Sequence, residues 1–287
     1  MSDQPVYGQR SDPRAAPSCP RHPSQRSVDY CKRCNRPMCI DCVVRTEVRS
    51  LCVDCAGTVR RARRSATRGP IVTYVMMGLC ALVFLVDLVS PAVFQAMAFT
   101  PQVGQVEPWR FLTTAFLHGG LMHIFFNMLS LYWVGRALEE AMGAWRFALL
   151  YVLSAVGGSL AVLVWVLFAP ATWTQVTVGA SGAVFGLYAA VFVLQRKAGV
   201  DTRSVLVLLG VNLVYGFMVP NVSWQAHLGG MVVGALVTWG LVALARPRPG
   251  VTAKAQDMRS VATGVAMAVA LAGLVLLTYR VLFEVLG

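Results

Sequence analysis

Seven apolar stretches dominate this sequence, at roughly 71–90, 121–138, 146–168, 178–195, 204–218, 224–245 and 260–283. A bilayer core about 30 Å thick needs about 20 apolar residues per helical crossing, and a soluble core has no use for so many runs of that length. The 287-residue chain is 56% hydrophobic and only 13% charged, where a soluble domain carries about 25% charged residues. An all-α polytopic membrane protein is predicted. The fifth stretch is short, which fits a helix tilted into its neighbours or partly shielded by them.

The charges between the stretches set a direction. A basic run, Arg60-Arg61-Ala62-Arg63-Arg64, precedes the first stretch, and Arg136 and Arg146, then Arg196, Lys197 and Arg203, then Arg246, Arg248, Lys254 and Arg259 fall in alternate connections. The opposite connections hold Arg110 and little else before Arg280. Positive loops stay in the cytoplasm, so the N terminus is expected inside and the C terminus outside. The net charge of +12 belongs to these loops, and nucleic acid is not an expected partner. Residues 1–18 are polar and Pro-rich, lack the apolar core of a signal peptide, and read as a flexible tail.

Of the 8 Cys, only Cys80 lies in an apolar stretch. The other seven join His22 in four pairs: Cys19-x-x-His22, Cys31-x-x-Cys34, Cys39-x-x-Cys42 and Cys52-x-x-Cys55. An odd set of cysteines with a histidine, on the cytosolic side, suits metal better than disulfides. Two ligands that flank a tight turn can face one ion, and four such pairs supply two tetrahedral zinc sites. With every position filled, the sites read as structural rather than catalytic. So short a segment cannot build a core, and metal would supply much of its folding energy. Spacing alone leaves sequential and interleaved pairing both open. The ordering resembles a B-box-type zinc module. That resemblance implies interleaving: Cys19, His22, Cys39 and Cys42 on one ion, and Cys31, Cys34, Cys52 and Cys55 on the other. The expected organisation is a tail over 1–18, a zinc module over 19–56, a basic linker over 57–70 and a transmembrane domain over 71–287.

Inside the membrane part, polar residues gather at one level. Ser181 lies near the outer start of the fourth stretch, in Val178-Gly179-Ala180-Ser181-Gly182-Ala183-Val184-Phe185-Gly186. Gly182 and Gly186 have the small-xxx-small spacing of close helix packing, so Ser181 is either a packing residue or a nucleophile whose small neighbours admit a substrate backbone. His227 lies a few residues into the sixth stretch, and His118, His123 and Asn127 at the outer start of the second. At 1.5 Å per residue, Ser181 and His227 each sit about 5–10 Å below the outer helix ends, the same depth as His123 and Asn127. A lone polar residue there would be a helix-to-helix hydrogen bond worth about 0.6 kcal/mol. Four of them at one depth, with Ser and His on different helices, point to catalysis. His is the usual base for a Ser hydroxyl, and Asn, His and backbone N–H groups stabilise the oxyanion of acyl transfer. No acidic residue in the stretches is well placed to orient His227, Asp87 being a weak candidate. A Ser–His dyad is expected, with Phe185, one turn after Ser181, holding the imidazole.

These residues closely resemble the rhomboid family of intramembrane serine proteases over about 71–283. Gly179-x-Ser181-Gly182 matches the family's GxSG, Ala226-His227-x-x-Gly230-x-x-x-Gly234 its AHxxGxxxG, and His118, His123 and Asn127 its second-span motif. Trp109-Arg110 matches the WR of its first external loop, and Glu139 with Gly143 its ExxxG. The resemblance implies a six-helix core plus a seventh C-terminal helix, with Ser181 as nucleophile and His227 as base. It implies that His123, Asn127 and the Ser181 amide form the oxyanion hole and that His118 is more structural. Phe185 stands where many members have Tyr, so stacking is kept and any hydroxyl role is lost. The implied function is a serine endopeptidase of a bacterial cytoplasmic membrane that cleaves transmembrane protein substrates near their outer end, within the lipid bilayer. No metal is expected in its chemistry, and the two zinc ions are structural. The module would dock a cytosolic partner. One rival is a non-catalytic rhomboid-like protein that binds membrane clients; such proteins usually lack the Ser or the His, and both are present here. Another is a transporter with a zinc regulator, but no paired intramembrane carboxylates or inverted repeat support it.

Overall fold

The computed structural model describes residues 17–45, 50–56, 69–219, 222–244 and 253–286. The basic run at 60–64 and most of the expected tail lie outside these residues. The chain divides into two compact units at Gly69/Pro70.

The first unit contains three antiparallel strand pairs: β1 (Ser18–Cys19) with β2 (His22–Arg26), β3 (Asp29–Tyr30) with β4 (Pro37–Met38), and β5 (Val43–Arg45) with β6 (Ser50–Cys52). Strands this short are marginal alone. Cysteines make up most of the buried cluster, which joins Cys19, Cys31, Cys39, Cys42 and Cys52 to Met38, Leu51 and Ala56. Asn35, at φ 53°, turns the chain after Cys34, and its N–H donates to the Cys31 carbonyl at 2.8 Å. Asn tolerates that left-handed conformation, and the turn aims Cys31 and Cys34 the same way.

The second unit is helical, and each of the seven apolar stretches falls on a helix. α1 is Ile71–Asp87. α2 (Leu121–Ser130) continues through a π-helical turn, Leu131–Gly135, into α3 (Arg136–Met142). Then come α4 (Ala144–Trp165), α5 (Ser181–Ala198), α6 (Arg203–Met218), α7 (Trp224–Leu244) and α8 (Ala253–Leu286). By length and apolar character α4, α7 and α8 can each cross a membrane, while α1 and α6 are shorter apolar helices. α5 is the central helix, with Gly182–Leu187, Ala189 and Ala190 all buried. It is shielded by protein and can carry serine and glycine where a lipid-facing helix needs large apolar side chains.

Glycines set the closeness of α4, α5 and α7. A β-carbon at Gly158 would lie 2.9 Å from the Ala226 carbonyl oxygen, and one at Gly182 3.3 Å from the same atom. One at Gly230 would collide with the Gly182 carbonyl, and one at Gly234 with that of Gly186. Without side chains there, the backbones touch and dispersion replaces a hydrophobic driving force that lipid does not supply.

Two polar clamps close the unit. Buried Glu139 on α3 accepts the Val72 and Thr73 N–H groups at 3.0 and 2.8 Å and the Thr73 hydroxyl at 2.8 Å. It thereby caps the start of α1, whose first amides have no intrahelical partner. The loop between α1 and α2 carries short helices at Pro91–Met97, Pro101–Gly104 and Arg110–Thr113. Trp109 is 52% exposed, as an interfacial anchor should be, but Arg110 is buried. Its Nε pairs with Glu107 at 2.6 Å and its Nη1 donates to the Ala98 carbonyl at 2.7 Å. Arg110 thus closes the loop from within.

Candidate functional site

Ser181 is the first residue of α5, so its helix begins three residues later than apolarity suggests. Gly179 makes the break. Its φ of 126° belongs to a region L-residues rarely adopt, and its N–H donates to the Thr114 carbonyl at 3.0 Å. The segment before Ser181 is held further by a two-way backbone bridge between Phe99 and Thr177, at 3.2 and 2.8 Å, and by the Thr114 hydroxyl on the Thr177 carbonyl. The serine therefore stands at a helix N-terminus with its own amide outside the helix ladder.

His227, in the first turn of α7, brings Nε2 to 2.9 Å from Ser181 Oγ. Phe185 lies under the imidazole, with centroids 4.1 Å apart and planes 12° from parallel. His227 Nδ1 has no hydrogen-bond partner among the described residues; it faces Gly216 of α6, where a β-carbon would sit 3.4 Å away. Among the described residues no carboxylate orients the ring. Packing does so, as a dyad requires.

His123 completes the near wall. A β-carbon at Gly179 would lie 2.7 Å from both Nε2 and Cε1 of His123 and 3.6 Å from Ser181 Oγ. The Gly119 N–H donates to His123 Nδ1 at 3.3 Å, which leaves the proton of a neutral ring on Nε2, the nitrogen beside the Ser181 loop. His118 meets His123 edge-on, with centroids 5.2 Å apart, and its Nδ1 lies 3.3 Å from the Phe116 carbonyl. Buried Asn127 donates to the His123 carbonyl at 2.9 Å, one turn below. So Ser181, His227, Phe185, Gly179 and His123 come together. Asn127 follows His123 one turn along α2, His118 packs edge-on against His123, and Gly182 faces α4 and α7. Phe99, Thr114, Thr177 and Gly119 hold the site and were not anticipated. Only the Gly119-Gly120 pair leaves a sequence mark, as a turn. Tyr188, two turns below Ser181, sets its hydroxyl 3.3 Å from that of Ser130, linking α5 to α2.

In the first unit, the ligand atoms of Cys19, His22, Cys39 and Cys42 lie within 4.8 Å of one another, as do those of Cys31, Cys34, Cys52 and Cys55. Both groups could hold a metal ion, and the grouping is interleaved. Bonds of about 2.3 Å in a tetrahedron put sulfur atoms about 3.8 Å apart, and Cys34 Sγ is 3.8 Å from Cys52 Sγ. His22 Nδ1 lies 3.2 and 3.4 Å from the sulfurs of Cys39 and Cys42. A backbone hydrogen bond from Cys39 holds the Cys19 thiol down to about 6. Burial, with Cys19 and Cys39 alongside, pushes Cys42 up to about 12. It is the close grouping of four sulfur or nitrogen donors in each set, at spacings a tetrahedral ion would bridge, that fits zinc.

The family model for the rhomboid domain matches residues 105–244. The chain is similar to the rhomboid protease GluP of Bacillus subtilis (strain 168), 36% identical over 157 residues, which is 53% of this chain and 29% of that protein. It is similar to RHOMBOID-like protein 5 of Arabidopsis thaliana, 35% identical over 155 residues, covering 52% of this chain and 48% of the relative. It is also similar to YdcA of Bacillus subtilis (strain 168), a candidate rhomboid protease, 30% identical over 179 residues, covering 59% of this chain and 87% of the relative. The chain thus spans less than half the length of the first two.

Proposed function

The chain belongs to the rhomboid family, and on that footing we propose that it is an intramembrane serine endopeptidase cleaving transmembrane proteins near the outer face of a bacterial cytoplasmic membrane. The observation that carries this reading is the 2.9 Å approach of Ser181 Oγ to His227 Nε2, with the imidazole held flat on Phe185. With the proton on Nδ1, Nε2 accepts the Ser181 proton as Oγ attacks the substrate carbonyl. The oxyanion meets the Ser181 amide, at the positive end of α5, and the Nε2–H of His123. Asn127 keeps a second amide hydrogen for the same task. His227 then returns its proton to the leaving amine, and water, activated by the same base, releases the acyl group.

The basic connections support an N terminus in the cytoplasm and a C terminus outside. We read 19–56 as a zinc module, 57–70 as a basic linker and 71–287 as the protease domain. The module would bind two structural zinc ions and dock a cytosolic partner.

The test compares wild type, Ser181→Ala and His227→Ala, each confirmed folded, on a single-span substrate in liposomes. Cleavage by wild type alone is expected. Cleavage that survives Ser181→Ala refutes the mechanism, and no cleavage by wild type across several substrates favours a client-binding protein.

A further inference from the structure

The match to the family model ends at residue 244, yet α8, beyond it, reaches the loop that supports the nucleophile. We propose that Tyr279 of α8 is a positioning residue for Ser181; the inference rests on the protease reading above.

Tyr279 is buried although most large apolar residues around it on α8 are exposed, Leu274, Leu276, Leu277 and Phe283 among them. Its hydroxyl donates to the Pro101 carbonyl at 2.8 Å. Its ring meets Phe111 edge-on at 6.3 Å and Trp173 at 6.4 Å. The seat is close-fitting, since a β-carbon at Gly104 would lie 2.8 Å from the Tyr279 hydroxyl oxygen. Pro101 is two residues from Phe99, whose backbone is bridged both ways to Thr177. Thr177 is two residues from Gly179, whose N–H is fixed on Thr114. A short, fully bonded path therefore runs from α8 through Pro101, Phe99 and Thr177 to the turn that sets Ser181.

The other end of α8 is also fixed. Asp257 pairs with Arg146 of α4 at 2.8 Å. The 22 residue steps from Asp257 to Tyr279 span about 33 Å of helix, close to the bilayer core of about 30 Å. Polar anchors thus hold α8 at both faces, and the outer one bears on the catalytic loop. Loss of the hydroxyl leaves the aromatic packing but frees Pro101, so the fold survives while the loop loosens. A small displacement of a nucleophile costs far more in rate than in binding.

The experiment uses the full chain in liposomes with Tyr279→Phe, and Leu274→Ala as a control on the exposed face of α8. Four quantities are measured: kcat and KM on a single-span substrate, the labelling rate of Ser181 by a fluorophosphonate, hydrogen exchange over residues 99–101 and 177–181, and the melting temperature. In Tyr279→Phe, kcat and labelling should both fall about fivefold, with KM and melting temperature unchanged. Exchange in both segments should quicken, while Leu274→Ala matches wild type. Unchanged kcat, labelling and exchange in Tyr279→Phe would overturn the proposal, as would a change confined to melting temperature. If wild type neither cleaves nor labels but exchange still quickens, the protease reading fails and the mechanical link stands. If exchange does not change either, both fail.

Discussion

Phe185 and His227 lie face to face, with ring planes 12° apart, and among the described residues no carboxylate shares in orienting the imidazole. Such a pair contributes about 0.5–1.5 kcal/mol beyond its buried area. Phe185→Ala is therefore expected to lower kcat by about tenfold, since 1.36 kcal/mol of barrier is a factor of ten, with a smaller change in KM. Phe185→Tyr keeps the stack and should stay within about twofold of wild type. Steady-state cleavage assays check both.

Gly179→Ala should abolish cleavage while the protein still folds. The substitution puts a non-glycine residue at φ 126° and a β-carbon 2.7 Å from His123, so the turn and His123 cannot both keep their places. Loss of fluorophosphonate labelling with retained detergent-resistant monomer would show it.

Gly230→Ala acts deeper. Its β-carbon collides with the Gly182 carbonyl, and α5 and α7 must separate. Overpacking of this kind costs about 1–3 kcal/mol or more. Both a lower melting temperature and lost cleavage are expected, because these helices carry Ser181 and His227.

Glu139→Ala should destabilise without touching the site. It strands two amides and a hydroxyl at the start of α1, at about 1–3 kcal/mol for a buried donor left unpaired. Thermal unfolding should show a drop of that size, and the kcat of the folded fraction should be unaltered.

Elemental analysis of the full chain should find two zinc ions. Acidification should release them, because thiolate and neutral imidazole ligands must take up protons as the metal leaves.

Much of this was legible because the informative residues recur at helical spacing. Gly182 and Gly186, and Gly230 and Gly234, announce backbone contact, and Ser181 and His227 sit beside them. The start of α5 was less legible. Val178 reads as continuous with the helix, and the backbone bond from Gly179 to Thr114 that delays its start to Ser181 leaves no mark in composition. Arg110 looks like an interfacial cation until Ala98 and Glu107 surround it. The π-turn at Leu131–Gly135 has no residue that signals it. Tyr279 looks like one more aromatic near the membrane boundary, and its partner, Pro101, lies 178 residues away. Local pattern reveals which side chains a helix can offer. It does not reveal which distant carbonyl receives them.

The order of the metal ligands has a topological consequence. Cys31 and Cys34 lie on the chain between the two halves of the first ligand group, and Cys39 and Cys42 lie between the two halves of the second. An ion bound at either group would therefore close a loop that contains half of the other group's ligands. When one ion departs, the strands carrying the other's ligands lose their tether, and the second ion is released more readily. The module should therefore pass between doubly loaded and empty with little of the singly loaded form, because the two loops share the segment from Cys31 to Cys42.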